Sequence, residues 1–159
     1  VKAISDKAET FEGRMEAFIM DFDGDILWNE TTGCRLQADE SADLMSVDAA
    51  LLDGNRLLYV RILKDGVTVS ENTFYTRFPK EYEYGCPKIS FEVQECAEGL
   101  ELTVSSDRLA RGLYLFSDNA DDFFEDNYMD LLPGFPRKIT VRTGSTAEEF
   151  KTTLKYQTL

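Results

Sequence analysis

The chain has 159 residues, with 17 lysines and arginines against 30 aspartates and glutamates, which gives a formal net charge of −13. A surface this acidic repels phosphate backbones and anionic lipid, so we expect neither nucleic acid nor a membrane surface as a partner. Histidine is absent, which excludes a Ser-His-Asp triad, a Cys-His pair and a histidine-ligated metal. No apolar run approaches the roughly 20 residues of a transmembrane helix, and the first residues do not resemble a signal peptide.

Hydrophobic residues make up 43% of the chain, enough to bury a core. The length fits one domain of ordinary size or two small domains of about 80 residues each. The three cysteines, Cys34, Cys86 and Cys96, are an odd number and do not suggest a disulfide framework. At most one pair could form, and Cys86 and Cys96 could face each other only if a hairpin brought them together. Cysteine usage therefore leaves the cellular compartment open.

Apolar and polar residues alternate with a period of two along much of the chain, which is typical of β-strands with one buried face. Three pairs of such segments are joined by Asp23-Gly24, Asp65-Gly66 and Glu98-Gly99, residue pairs that suit tight turns with a positive φ angle. The predicted hairpins run through Met15–Ile19 and Ile26–Trp28, through Leu58–Ile62 and Val67–Val69, and through Ile89–Val93 and Leu100–Val104.

Further strands are predicted at Leu113–Phe116, Ile139–Val141 and Phe150–Tyr156. Two short stretches have the composition of helices, Ala42–Leu52 and a turn near Ala147–Phe150. Ten or more short strands at spacings near ten residues are typical of antiparallel sandwiches. The sequence therefore predicts an all-β protein.

A boundary between domains is predicted at Tyr84-Gly85-Cys86-Pro87. Glycine and proline so close together interrupt strand pairing, and a set of hairpins lies on each side. We therefore expect two small β-sandwiches in tandem, residues 1–84 and residues 85–159. The two halves are not repeats of each other in sequence.

The densest acidic stretch runs from Asp118 to Asn127. Its carboxylates, with Asp118, Asp121 and Asp122 as the weak candidates, offer enough oxygen atoms for a hard cation such as Ca²⁺. The spacing matches no EF-hand loop, however, because the glycine at the sixth position is missing. Two phenylalanines inside the run favour a solvated loop held down by apolar anchors. We therefore predict no metal site and no cofactor.

Tyr82 and Tyr84 alternate with two glutamates in Glu81–Tyr84, so a strand there would place both tyrosines on one face. An exposed tyrosine pair could stack on sugar rings, and the same pair could cover the junction between two domains, where aromatic residues are common. The second interpretation is favoured. A retaining glycosidase needs two carboxyl groups about 5 Å apart, and no acidic pair here has a recognisable catalytic setting, so no catalytic residue is predicted.

The segment Phe124–Gly134 reads FEDNYMDLLPG and resembles the FSDNYFDLLPGE signature of the C-terminal domain of β-mannosidases of glycoside hydrolase family 2. Asp21–Trp28 and Val69–Tyr75 are similar to the preceding domain of those enzymes, in the same order. The signature itself looks like a structural corner, in which side chains hold a turn and anchor the segment on the sandwich. The corner residues are Asn127, Tyr128, Asp130, Leu131, Leu132, Pro133 and Gly134.

The resemblance implies two tandem immunoglobulin-like domains from a larger enzyme, whose TIM barrel carries two catalytic glutamates. No position here matches the motifs that bear those glutamates. The expected role is to brace that barrel and the other domains of the same parent, which would hydrolyse terminal β-mannosides. The alternative is a carbohydrate-binding module that acts on its own, with carbohydrate as its partner.

Overall fold

The computed structural model describes all 159 residues and is all-β, as predicted, with 13 strands and a single α-helix. The strands are β1 (Lys2–Ile4), β2 (Phe11–Asp21), β3 (Ile26–Leu36), β4 (Ser41–Asp43), β5 (Arg56–Lys64), β6 (Val67–Phe74), β7 (Ile89–Cys96), β8 (Gly99–Ser106), β9 (Ala110–Phe116), β10 (Phe123–Phe124), β11 (Met129–Leu131), β12 (Arg137–Arg142) and β13 (Lys155–Gln157). The helices are α1 (Ala147–Thr153) and two 3₁₀ turns, Ala49–Leu52 and Pro79–Glu81. None of the helices has the length and apolar character needed to cross a membrane.

The chain divides into two compact units. The first comprises Val1–Asp21 and Asp25–Glu83, and the second comprises Phe22–Gly24 and Tyr84–Leu159. In the first unit, an antiparallel sheet has the strand order β3-β2-β5-β6, and β1 pairs with β4 separately. Ala3 of β1 and Ala42 of β4 pack with Met15 and Cys34 of the larger sheet, so the core of this unit lies between the two sheets.

The second unit is a sandwich of two sheets with the strand orders β10-β12-β8-β7 and β11-β9-β13. One apolar cluster receives side chains from both sheets and from the helix α1. Its fully or almost fully buried members include Leu100, Leu102, Val104, Leu113, Leu115, Leu131, Val141 and Phe150. Burial of side chains of this size contributes about 1.5–3 kcal/mol each before the entropy of ordering is subtracted.

All three predicted hairpins are present, as β2–β3, β5–β6 and β7–β8. In the β5–β6 hairpin, Asp65 and Gly66 have φ angles of 52° and 83°, the left-handed pair that a tight two-residue hairpin turn requires. Gly99 at the start of β8 has φ 130°. A glycine is needed there because an added Cβ would lie 2.4 Å from the carbonyl oxygen of Val141 on β12.

Two predicted elements, one in each unit, are wrong. Phe150–Tyr156 is not a strand, because Phe150 lies inside the helix α1 and only Lys155–Gln157 is extended. The predicted helix Ala42–Leu52 reduces to a single 3₁₀ turn at Ala49–Leu52. Its first residues belong to β4, which pairs with β1 about forty positions earlier in the chain, and this distant pairing overrides local helix propensity.

Candidate functional site

Asn127, at the start of the predicted corner, binds the backbone of strand β9 through its side-chain amide. Its Oδ1 accepts a hydrogen bond from Leu115 N at 2.7 Å, and its Nδ2 donates to Leu115 O at 2.7 Å. The amide thus reproduces the donor and acceptor of a neighbouring strand's peptide group. It extends the hydrogen bonding of β9 to Leu115, two residues beyond Leu113, where the pairing with β11 ends.

Asp130 also hydrogen-bonds to strand β9, at the point where the pairing of β9 with β11 is irregular. Met129 lies opposite Leu113 and Leu131 lies opposite Ala110, so the register shifts between them. A backbone N–H inside such a bulge loses its partner in the ladder. Asp130 Oδ1 supplies that partner by accepting a hydrogen bond from Gly112 N at 2.9 Å.

The apolar end of the corner is buried and closes in a tight turn. Leu131 and Leu132 are 0% and 4% exposed, and Pro133 is buried. Phe135 N donates a hydrogen bond to Leu132 O at 3.1 Å. Proline at the second position and Gly134 with φ 79° at the third are typical of a type II turn.

Tyr128 differs from the apolar residues of the corner because its side chain is 73% exposed, so it does not anchor the segment by burial in the sandwich core. Its φ angle is 57°, a left-handed conformation that costs a residue with a Cβ about 1–2 kcal/mol. Asn127 Oδ1 also accepts from Tyr128 N at 3.2 Å, which helps to hold the backbone there. The tyrosine ring stacks on Tyr114 with 4.7 Å between ring centroids.

Tyr82 and Tyr84 do not form an exposed pair on a strand, because Pro79–Glu81 is a 3₁₀ turn and no strand follows it before Ile89. Tyr82 is 6% exposed, and its hydroxyl oxygen accepts hydrogen bonds from the backbone N–H groups of Thr76 and Arg77 at 3.1 and 3.0 Å. The Tyr84 hydroxyl accepts from Arg111 at 2.7 Å. The ring of Tyr82 is buried, and the ring of Tyr84 contacts Phe22 and the Arg111 guanidinium, so the two tyrosines do not form an open platform for a sugar.

The acidic stretch is held by local contacts of its own carboxylates. Asp122 accepts hydrogen bonds from Ser117 Oγ at 2.7 Å and from Asn119 Nδ2 at 2.9 Å, and Asp118 is paired with Lys155. Side chains of Asp, Glu and Cys nowhere form a group of three or more that could hold a metal ion. The Asp121 carboxylate takes part neither in the contacts of Asp122 nor in the ion pair of Asp118.

The two phenylalanines of this stretch behave differently from each other. Phe124 packs against the core of the second unit, as expected for an apolar anchor. Phe123 is 57% exposed, and the Arg142 guanidinium lies over its ring at 5.6 Å. The prediction of two apolar anchors is therefore right for Phe124 and wrong for Phe123.

The first unit has an open cavity of about 740 Å³ between β1 and the sheet strands β5 and β6. Its floor is aliphatic, with Leu58, Val60 and Ile62, while Asp6 and Glu71 lie among its lining residues. Glu71 accepts a hydrogen bond from the hydroxyl of Tyr59. The lining is suited mainly to apolar contact.

Cys34 and Glu149 have displaced pKa values, and neither residue belongs to a catalytic arrangement. Burial raises the pKa of the Cys34 thiol. Hydrogen bonds from the backbone and then the side chain of Thr146 lower the pKa of Glu149, where the two residues form a capping box at the start of α1. Both displacements have structural causes, a closed core and a helix terminus.

The fold and the corner define the chain as a tandem pair of immunoglobulin-like β-sandwiches. Residues 1–81 match the family described as mannosidase Ig/CBM-like domain. Residues 86–159 match the Ig_mannosidase family, described as an Ig-fold domain. The chain therefore belongs to the mannosidase Ig/CBM-like domain family, and its residues 86–159 are similar to the Ig-fold domain of the second family.

Parts of larger solved structures have the same fold as this chain. The β-D-mannosidase of Dictyoglomus thermophilum matches 99% of this chain with a TM-score of 0.83 and 21% identity, and this chain covers 20% of that chain. The exo-chitosanase of Amycolatopsis orientalis matches 99% of this chain with a TM-score of 0.64 and 15% identity, with 24% of its own chain covered. A comparison with curated protein sequences gives no match. At these identities the likenesses show the fold, and this chain spans a quarter or less of each relative.

Proposed function

We propose that this chain is a non-catalytic accessory region of a β-mannosidase-like glycoside hydrolase, and that it braces the catalytic barrel of that enzyme. The observation that carries the proposal is the order of the two family matches, residues 1–81 and 86–159, which together fill almost the whole chain. The match to the D. thermophilum β-D-mannosidase over 99% of the chain supports the same arrangement. The parent would hydrolyse terminal β-mannosides, and its barrel and remaining domains would be the partners.

The construction of the second unit suits a bracing role. Its core is continuous across both sheets, and side-chain hydrogen bonds from Asn127 and Asp130 hold the corner to β9. A domain held in this way presents a surface of fixed shape. Interfaces between domains of one chain commonly bury about 600–1,500 Å², and a rigid surface loses little conformational entropy when it docks.

The proposal is tested first by assaying the pure chain with a chromogenic β-mannoside. No turnover is expected, since no acidic pair of the chain has a recognisable catalytic setting in the sequence. Turnover that disappears on substitution of one carboxylate would refute the non-catalytic assignment. The bracing role is tested in the parent enzyme by comparing thermal inactivation of the intact chain with that of a variant lacking this region. A shorter half-life is expected for the truncated enzyme, and an unchanged half-life would refute the bracing role.

A further inference from the structure

The outer face of the sheet β11-β9-β13 carries a row of three aromatic rings. Along β9, Leu113 and Leu115 point into the core with 0% and 1% exposure, so Tyr114 and Phe116 point away from it. The rings of Tyr114 and Phe116 have centroids 5.5 Å apart and planes 18° apart. The ring of Tyr128 lies 4.7 Å from that of Tyr114, with planes 16° apart. The three rings therefore stand nearly parallel.

Tyr128 ends this row with an open ring face. One face of its ring is covered by Tyr114, yet 73% of the side chain is exposed, so the other face meets solvent. Its backbone is left-handed, with φ 57°, a conformation that Gly or Asn adopts with less strain. Burial of the ring does not compensate for that strain. Strained residues held in place by their surroundings occur preferentially at binding sites.

Polar groups lie beside the aromatic rings. In the register of β13 with β9, Gln157 is opposite Tyr114 and Lys155 is opposite Phe116, so these side chains share one face. Lys155 is paired with Asp118. The hydroxyls of Tyr114 and Tyr128 form no hydrogen bond within the chain. An amide, two phenol hydroxyls and the N–H bonds of the Lys155 ammonium group that Asp118 does not occupy are thus available to a ligand rich in hydroxyl groups.

We propose that this aromatic face, formed by Tyr114, Phe116, Tyr128, Lys155 and Gln157, binds a pyranose ring of an oligosaccharide. The C–H face of the sugar would cover the open face of Tyr128, which removes apolar surface from water. Its hydroxyls would hydrogen-bond to Gln157, Lys155 and the phenol groups. The mixture of rings with amide and ammonium groups favours a sugar over a protein partner, because protein interfaces are depleted in lysine at their centre. The proposal does not depend on the bracing role.

The test is calorimetric titration of the full chain with β-1,4-linked manno-oligosaccharides, and with cello-oligosaccharides as a second probe. The decisive variant is Tyr128→Asn, which removes the ring and tolerates the left-handed backbone. Phe123→Ala is the matched control, because Phe123 is also an exposed aromatic of the second unit and lies on the other sheet. We expect saturable binding by the wild type, a Kd raised about tenfold or more by Tyr128→Asn, and an unchanged Kd for Phe123→Ala.

A melting temperature for Tyr128→Asn at or above that of the wild type would show that its loss of binding is not a loss of folding. A second variant, Gln157→Ala, is expected to weaken binding without moving the melting temperature. The proposal would be overturned if the wild type bound neither sugar at concentrations up to about 10 mM. It would also be overturned if Tyr128→Asn bound as tightly as the wild type. It would also be overturned if Tyr128 were covered by another protein domain in the intact parent enzyme.

Discussion

The side-chain amide of Asn127 forms both available backbone hydrogen bonds with Leu115, a residue twelve positions earlier, each at 2.7 Å. Leu115 itself is buried, so the amide fixes the position of a strand whose next side chains, Tyr114 and Phe116, form the aromatic face. A single polar side chain thereby links the corner of the sandwich to the proposed sugar-binding surface.

Replacement of Asn127 by alanine should lower the free energy of unfolding by about 1–3 kcal/mol, because the N–H and C=O of Leu115 would lose their partners while partly buried. Urea denaturation followed by far-UV circular dichroism measures the effect. Asn29→Ala is the control, because Asn29 is exposed on β3 and has no such contact. Equal midpoints for the Asn127 variant and the wild type would contradict the role of the amide.

Replacement of Gly99 by alanine should destabilise the β7–β8 hairpin by about 2 kcal/mol or more, because the new Cβ meets a backbone oxygen of β12 and the residue must keep a positive φ. Gly144→Ala provides the comparison. An added Cβ at Gly144 has nothing within 4 Å, and the residue has no positive φ. Thermal melting of the two variants should separate them clearly, and similar melting temperatures would show that the hairpin tolerates a side chain at Gly99.

Glu149→Gln should lower stability near neutral pH and have less effect in acid. The hydrogen bonds of Thr146 with Glu149 lower the pKa of the carboxyl group in the folded state. The stabilisation is therefore present above the unfolded-state pKa and is lost as the pH falls through the folded-state pKa. Melting temperatures of wild type and variant, measured from neutral pH down to below the folded-state pKa, test the effect. Glu148→Gln is the control, since the Glu148 carboxylate pairs with exposed Lys151, and a parallel pH dependence of both variants would contradict the capping role.

Two of the three thiols should react quickly with a disulfide reagent in the native protein, and the third only after unfolding. Cys86 and Cys96 are exposed, whereas Cys34 is buried. Burial raises the pKa of the Cys34 thiol and so lowers the fraction of reactive thiolate. Thiol titration with and without denaturant gives the counts. Fast reaction of all three thiols in the native state would mean that the core around Cys34 opens readily.

The hairpins could be predicted from the sequence because their signals are local: alternation of apolar residues and a glycine at each turn. The error at Phe150 arose from the same signal. Phe150, Thr152, Leu154 and Tyr156 alternate as a strand would, whereas Thr146 with Glu149 forms the capping-box pattern that marks a helix start. The capping box is visible in the sequence, and it is a stronger signal for a helix than the alternation of four residues is for a strand.

Other features depend on distant contacts and could not be read from local patterns. Ser41–Asp43 is extended because it pairs with Lys2–Ile4. The composition of the corner indicated side-chain hydrogen bonds, yet their partners on β9 follow from the sheet register. The left-handed conformation of Tyr128 had no signal at all, because neither glycine nor asparagine occupies that position. The aromatic face could not be predicted because it also depends on the pairing of β13 with β9.

Trp28 is the single tryptophan of the chain, and it packs beside Ala17, Ile19, Leu52 and Leu58 in the first unit. The second unit contains only tyrosine and phenylalanine as its aromatic residues. The protein therefore has a tryptophan fluorophore in its first unit and none in its second. Tryptophan emission follows the first unit, while circular dichroism follows both. Coincident transitions by the two methods would mean cooperative unfolding of the whole chain, and separated transitions would give each unit a stability of its own.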